Sequence, residues 1–132
     1  MAEKILVIDD EPEVRDAIAD LLRAEGFQPE TTSDSMAAAG LISTFAYDVI
    51  LSDIVMPGLS GLQLLSLIKA RTPSPDVILF TGFSTRERAM EALERGAFAY
   101  LEKPFDVAEL LERVKQALWK RKLENGNGNR RR

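Results

Sequence analysis

The chain has 132 residues, 45% apolar and 29% charged, with 17 basic against 21 acidic side chains and neither histidine nor cysteine. That is enough chain for one domain with its own core, and the missing residue types exclude disulfides, thiolate metal sites, Ser-His-Asp and Cys-His nucleophiles, zincins and a phosphohistidine carrier. Residues 120–132 hold six basic residues and one acid, which leaves 11 basic against 20 acidic over 1–119, a net of −9 that argues against nucleic-acid binding by the body of the chain.

In MAEKILVIDD a short apolar run leads straight into acids, so it does not read as a signal peptide. No apolar run approaches the ~20 residues of a membrane span. With the lack of cysteine, this sets the expectation of a cytoplasmic protein with no membrane partner. The first predicted strand is Lys4–Asp9, ending in the adjacent acids Asp9 and Asp10. Glu11 reads as a first-turn acid that favours the helix dipole, and Pro12 suits the first turn itself. Val14, Ile18, Leu21 and Leu22 then recur at helical spacing, and Gly26 stands where a C-terminal cap belongs.

The second strand, Gln28–Thr32, contains Pro29. Proline removes a ladder donor, which places this strand at a sheet edge. The third, Asp48–Asp53, ends in another acid. Ser60 with Gln63 forms a capping box before Leu62, Leu65 and Ile68. The fourth strand is Val77–Thr81, followed by a second capping pair, Ser84 with Glu87, and a cap at Gly96. The fifth is Ala99–Lys103, and Val107, Leu110, Leu111, Val114 and Leu118 mark the last helix. ILVI, VIL and VILF are continuous apolar runs, as strands buried on both faces require. The Asn/Gly-rich, arginine-ended stretch 124–132 reads as a disordered or linker tail to a domain of residues 1–123.

Five strand–helix alternations with an edge second strand predict a doubly wound, five-stranded parallel sheet. Its order is 2-1-3-4-5, in a flavodoxin-like three-layer sandwich. Ligands of such sheets bind outside the carboxyl ends of the strands. There the sequence delivers Asp9 and Asp10, Asp53, Thr81 with Gly82, and Lys103 with Pro104. Converging carboxylates raise one another's pKa unless a cation joins them, and a hard divalent ion with oxygen ligands, Mg²⁺, suits that cluster. A carboxylate nucleophile, a metal, a lysine and N–H and O–H donors are the parts of a phosphoryl-transfer site.

Four motifs in order, VIDDE (7–11), LSDIVMPGLSGLQLL (51–65), LFTG (79–82) and GAFAYLEKPF (96–105), resemble the response-regulator receiver domains of two-component signalling, with a flavour nearest NtrC-type receivers. The resemblance covers residues 3–120. It implies that Asp53 is the phosphoacceptor, accepting a phosphoryl group from a phosphohistidine on a sensor kinase or phosphotransfer protein. Asp10, Asp53 and the Val55 carbonyl would bind Mg²⁺ directly and Asp9 through water. Thr81, Lys103 and the backbone N–H groups of Ile54 and Gly82 would contact the phosphoryl group, and the Lys103–Pro104 bond would be cis. Thr81 and Tyr100 would form the switch that biases the surface of the fourth helix, fifth strand and fifth helix, with homodimerisation through that face as one output. The implied protein is a switch, not an enzyme acting on an external metabolite.

The rival readings lack their parts. A haloacid-dehalogenase-type phosphatase needs a second Asp two residues after its nucleophile, where this chain has Val55. A flavodoxin needs a phosphate-cradling loop after the first strand, and a nucleoside triphosphatase of the P-loop class needs its glycine-rich motif. A degenerate receiver would not keep Asp9, Asp10, Asp53, Thr81 and Lys103 together. The resemblance also implies that Val55 and Phe83 flank the path of hydrolytic water, and two apolar residues there suggest slow self-dephosphorylation.

Overall fold

Strands and helices alternate as β1 (Lys4–Ile8), α1 (Pro12–Ala24), β2 (Gln28–Thr32), α2 (Ser35–Thr44), β3 (Val49–Asp53), α3 (Gly61–Lys69), β4 (Asp76–Thr81), α4 (Arg86–Glu94), β5 (Ala99–Glu102) and α5 (Val107–Arg130). They are taken from a computed structural model that describes residues 3–71, 74–82 and 85–130. The strands form one parallel sheet in the order β2-β1-β3-β4-β5. Parallel neighbours joined by helical crossovers put helices on both faces, so the central strands are apolar throughout. All of β3 and β4 is buried, polar residues included.

The two-residue period of each strand splits the core into two layers. Leu6, Ile8, Ile50 and Leu79 meet α2, α3 and α4 through Ile42, Leu65, Ile68 and Ala92. Val7, Leu51, Ile78 and Phe80 meet α1 and α5 through Ile18, Leu22, Leu110 and Val114. β2 lies at the edge, and Pro29 is its one buried residue.

Local signals place most of the helix ends. Pro12 opens α1, and Ser60 and Gln63 exchange both bonds of a capping box. Gly26 and Gly96 adopt φ of +91° and +102°, a conformation that costs glycine little, and close α1 and α4. Two expectations change. Thr85 caps α4 by accepting the Arg88 N–H, whereas Ser84, the expected cap, lies outside the described residues. Residues 124–130, expected as a disordered or linker tail, continue α5 as helix. Extending an existing helix gains a hydrogen bond for each residue ordered, without a new nucleation cost.

Tyr47, almost fully buried, donates a 2.6 Å hydrogen bond to Glu30 on the edge strand. Burial first, then the Glu30 carboxylate, hold the phenol above its ordinary pKa. The folded state therefore keeps a proton that the unfolded chain releases near pH 10, so this stability is present below about pH 10 and lost as pH rises through the folded value. Denaturant midpoints between about pH 8 and pH 11 should fall for the wild type more steeply than for Tyr47→Phe. Parallel curves would show that the phenol does not carry the effect.

Candidate functional site

The carboxyl ends of β1, β3, β4 and β5 bring together residues up to 94 positions apart. Asp9 follows β1, and its N–H continues the ladder to the Thr32 carbonyl at 3.2 Å. Its side chain is wholly buried: Oδ1 accepts the Glu11 N–H at 2.9 Å and Oδ2 accepts from Lys103 Nζ at 3.0 Å. Asp53 closes β3 at 5% exposure, with Oδ1 accepting the Val55 N–H at 3.1 Å and Oδ2 accepting from Lys103 at 2.8 Å. Asp10 is exposed beside them, and carboxylate oxygens of Asp9, Asp10 and Asp53 lie within 4.8 Å of one another.

Lys103 is aimed by the strand before it. Its N–H extends β5 onto the Thr81 carbonyl at 2.9 Å, and the Lys103–Pro104 bond is cis. The ammonium sits 5.4 Å from the Phe80 ring centroid, and a third carboxylate, Glu11, accepts from it at 2.7 Å. Burial pulls the lysine pKa down, but hydrogen bonds to Asp53, Glu11 and Asp9 outweigh it and raise the value. For Asp9 burial raises the pKa, opposed by the Glu11 N–H and by Lys103. Three carboxylates thus share one ammonium with a fourth, Asp10, beside them, an excess of negative charge suited to a hard cation.

Thr81, fully buried, ends β4, and half-buried Tyr100 lies on β5. The register pairs Leu79 with Tyr100 and Thr81 with Glu102, so Thr81 and Tyr100 share the sheet face toward α4. The backbone at Gly82 passes beside Lys103, 3.9 Å from its Cβ to where a Cβ would stand.

One expected backbone donor is corrected. The Ile54 N–H is bonded to the Phe80 carbonyl at 3.0 Å, because the β3–β4 ladder continues one residue past Asp53. The N–H that faces the Asp53 carboxylate is that of Val55. Glu11, expected as a first-turn acid, and Gly61 take roles at the site that local sequence does not assign. Glu11 occupies the N-cap position of α1, yet its side chain makes no cap bond and turns to Lys103 instead. Its place directly after Asp9-Asp10 was the available signal. Gly61 opens α3 against the Asp53–Ile54 backbone, where a Cβ would lie 2.5 Å from the Asp53 carbonyl oxygen. No side chain fits there, and the Gly61 N–H bonds the Ile54 carbonyl at 2.8 Å, holding the loop that carries Val55. Val107, expected on the inner face of α5, is 49% exposed. It lines a cleft of about 430 Å³ between α1 and the start of α5, with Val14, Ile18, Phe105 and, at its edge, Lys103 and Glu11.

The family model described as the response regulator receiver domain matches residues 5–115. The chain belongs to that family. This receiver is 38% identical over 114 residues to the response regulator protein FleR of Pseudomonas aeruginosa, covering 86% of this chain and 24% of FleR. It is 36% identical over 120 residues to the phosphate regulon transcriptional regulatory protein PhoB of Klebsiella pneumoniae, covering 89% of this chain and 52% of PhoB. The chain therefore spans about a quarter of one of these relatives and about half of the other. Among solved structures it resembles the beryllofluoride-activated NtrC4 receiver domain dimer, with a TM-score of 0.84 and 32% identity over 89% of this chain and 97% of that one. Receiver domains are phosphorylation-activated switches of two-component signalling, which act with histidine kinases or phosphotransfer proteins. No helix among the described residues is long and apolar enough to cross a membrane.

Proposed function

We propose that this receiver takes a phosphoryl group onto Asp53 from a phosphohistidine of a sensor kinase or phosphotransfer protein. The observation that carries the reading is the setting of one carboxylate. Asp53 ends a fully buried strand with an ammonium on one oxygen and a backbone N–H on the other. In the reaction a carboxylate oxygen bonds to phosphorus as the P–N bond breaks, and that bond's electron pair stays on the departing imidazole. Lys103, the Thr81 hydroxyl and the N–H groups of Val55 and Gly82 are the donors for the phosphoryl oxygens. The apolar cleft beside Lys103 gives the donor protein a surface to approach.

The acidic cluster fits Mg²⁺ on its donor chemistry. Asp10, Asp53 and the Val55 carbonyl would hold the ion directly and Asp9 through water. Bound there, Mg²⁺ would balance the charge of the acids and of the phosphoryl oxygens. Asp9, wholly buried with an oxygen on Lys103 and another on a backbone N–H, is less able to turn toward a metal than the exposed Asp10. Losing Asp10 is accordingly the larger loss to metal affinity.

Phosphorylation adds a charge of about −1.5 to −2 at Asp53. Thr81 is read as moving toward that charge and Tyr100 as filling the space it leaves, which biases the α4–β5–α5 face between two packings. The output is a partner, an attached domain or a second copy on that face, with residues 1–123 as the switch and 124–132 as the lead-out. Val55, 44% exposed, supports slow loss of the phosphoryl group through its apolar side chain. Phe83, the other flank, lies outside the described residues.

Acetyl phosphate with Mg²⁺ should add one phosphoryl mass to the protein, and Asp53→Asn should add none. Label retained in that variant would place the acceptor elsewhere. A size measurement with and without beryllofluoride tests the dimer, and an unchanged size would argue for a monomeric output.

A further inference from the structure

We infer that Glu11 is a positioning residue for the phosphoryl acceptor, a releasable rival that occupies the Lys103 donor which the phosphoryl group must claim. The inference rests on Asp53 being that acceptor. An ammonium has three N–H donors. Lys103 has three carboxylate partners, Asp9 at 3.0 Å, Asp53 at 2.8 Å and Glu11 at 2.7 Å. Its donors are therefore fully committed before any phosphoryl group arrives. A phosphoryl oxygen on Asp53 gains a bond from Lys103 only as one of these contacts is given up.

The three partners are unequal. Asp9 is wholly buried, and its second oxygen is already held by the Glu11 N–H. Releasing it would leave a buried charge without its cation, the most costly of the three exchanges. Asp53 is the group that carries the phosphoryl. The Glu11 side chain is 60% exposed, so water replaces Lys103 as its partner at little cost. Its N-cap position adds nothing to hold it, since the side chain makes no cap bond. Glu11 is thus the contact that yields. At rest it holds the ammonium over the acids, and it taxes the binding of the phosphoryl group by the value of one partly exposed ion pair.

Beryllofluoride, which mimics the phosphoryl group, supplies the test on the whole chain in the presence of Mg²⁺. Glu11→Gln should bind it about threefold to tenfold more tightly than wild type. Glu11→Asp keeps the charge but is one methylene too short to reach Lys103, and it should behave like Glu11→Gln. A Glu11→Asp affinity equal to wild type would mean that only the negative field acts, and would overturn the inference. Unchanged affinity in both variants would overturn it as well. Mg²⁺ titrated alone should bind wild type and Glu11→Gln equally, and a severalfold weakening in the variant would make Glu11 part of the metal site instead. If the wild type takes up neither beryllofluoride nor phosphoryl, the acceptor reading fails and this inference falls with it. If the wild type responds and the variants do not differ from it, only this inference fails.

Discussion

Lys103→Met should lower folding stability in Mg²⁺-free buffer by roughly 3 kcal/mol, and added Mg²⁺ should recover a large part of the loss. The lysine is 13% exposed and lies between side chains of 0% and 7% exposure, Asp9 and Asp53. Removing the ammonium leaves two buried carboxylates facing each other with no cation, the circumstance in which breaking one partner costs most. Methionine keeps most of the volume beside the Phe80 ring, so the loss reports charge rather than a cavity. Urea unfolding with EDTA or with Mg²⁺ measures both quantities. The double variant Lys103→Met with Asp53→Asn should be more stable than Lys103→Met alone, since one of the stranded charges is gone. A single variant as stable as wild type without Mg²⁺ would show that the acids are already relieved by water.

Asp76→Ala should cost about 2–3 kcal/mol and loosen the last turns of α5 before Glu124. This aspartate opens β4 at the opposite end of the sheet, with its side chain 8% exposed. Oδ1 accepts from Lys120 at 3.1 Å, and Oδ2 faces Arg121 at 3.6 Å without a hydrogen bond. Arg121 also donates to the Ser74 carbonyl at 3.1 Å and lies 3.8 Å from Asp48, whose own oxygen accepts the Lys4 N–H at 2.8 Å. One acid therefore ties α5 to the beginning of the sheet. Lys69 depends on it too. Burial lowers the Lys69 pKa and Asp76 opposes that shift, so deleting the acid leaves three cations near one another. Asp76→Asn, which keeps an acceptor for Lys120 but loses the charge, should fall between the two. Amide exchange over residues 117–124, with Trp119 fluorescence beside it, measures the loosening. Protection unchanged in Asp76→Ala would show that α5 is held by its apolar face alone.

Much of the fold was legible because its signals are local. A strand buried on both faces is a continuous apolar run, and the predicted strands agree with the observed ones within one residue at each end. Pro29 marked the edge strand because a missing N–H tells in any context. The cap of α4 was misjudged by one position, since Ser84 and Thr85 are chemically near equals and only the path of the chain chooses between them. The helix beyond residue 123 ran against composition, which says little about a segment that extends an existing helix.

The sequence by itself determined the sheet order and which residue types meet at its carboxyl rim, because parallel strands must end there and each carries a polar residue at its end or directly after it. Only the tertiary structure decided how those groups are paired. That Lys103 answers to Glu11 as well as to Asp9 and Asp53 follows from the meeting of chain segments 50 to 94 residues apart. That Val55 and not Ile54 turns its N–H to Asp53 follows from where the β3–β4 ladder stops. The need for glycine at position 61 follows from a helix seated against a strand's last carbonyl. Local periodicity fixes where a strand ends. Donors, acceptors and charges are shared out by register between distant segments, and that becomes visible only once the sheet is assembled.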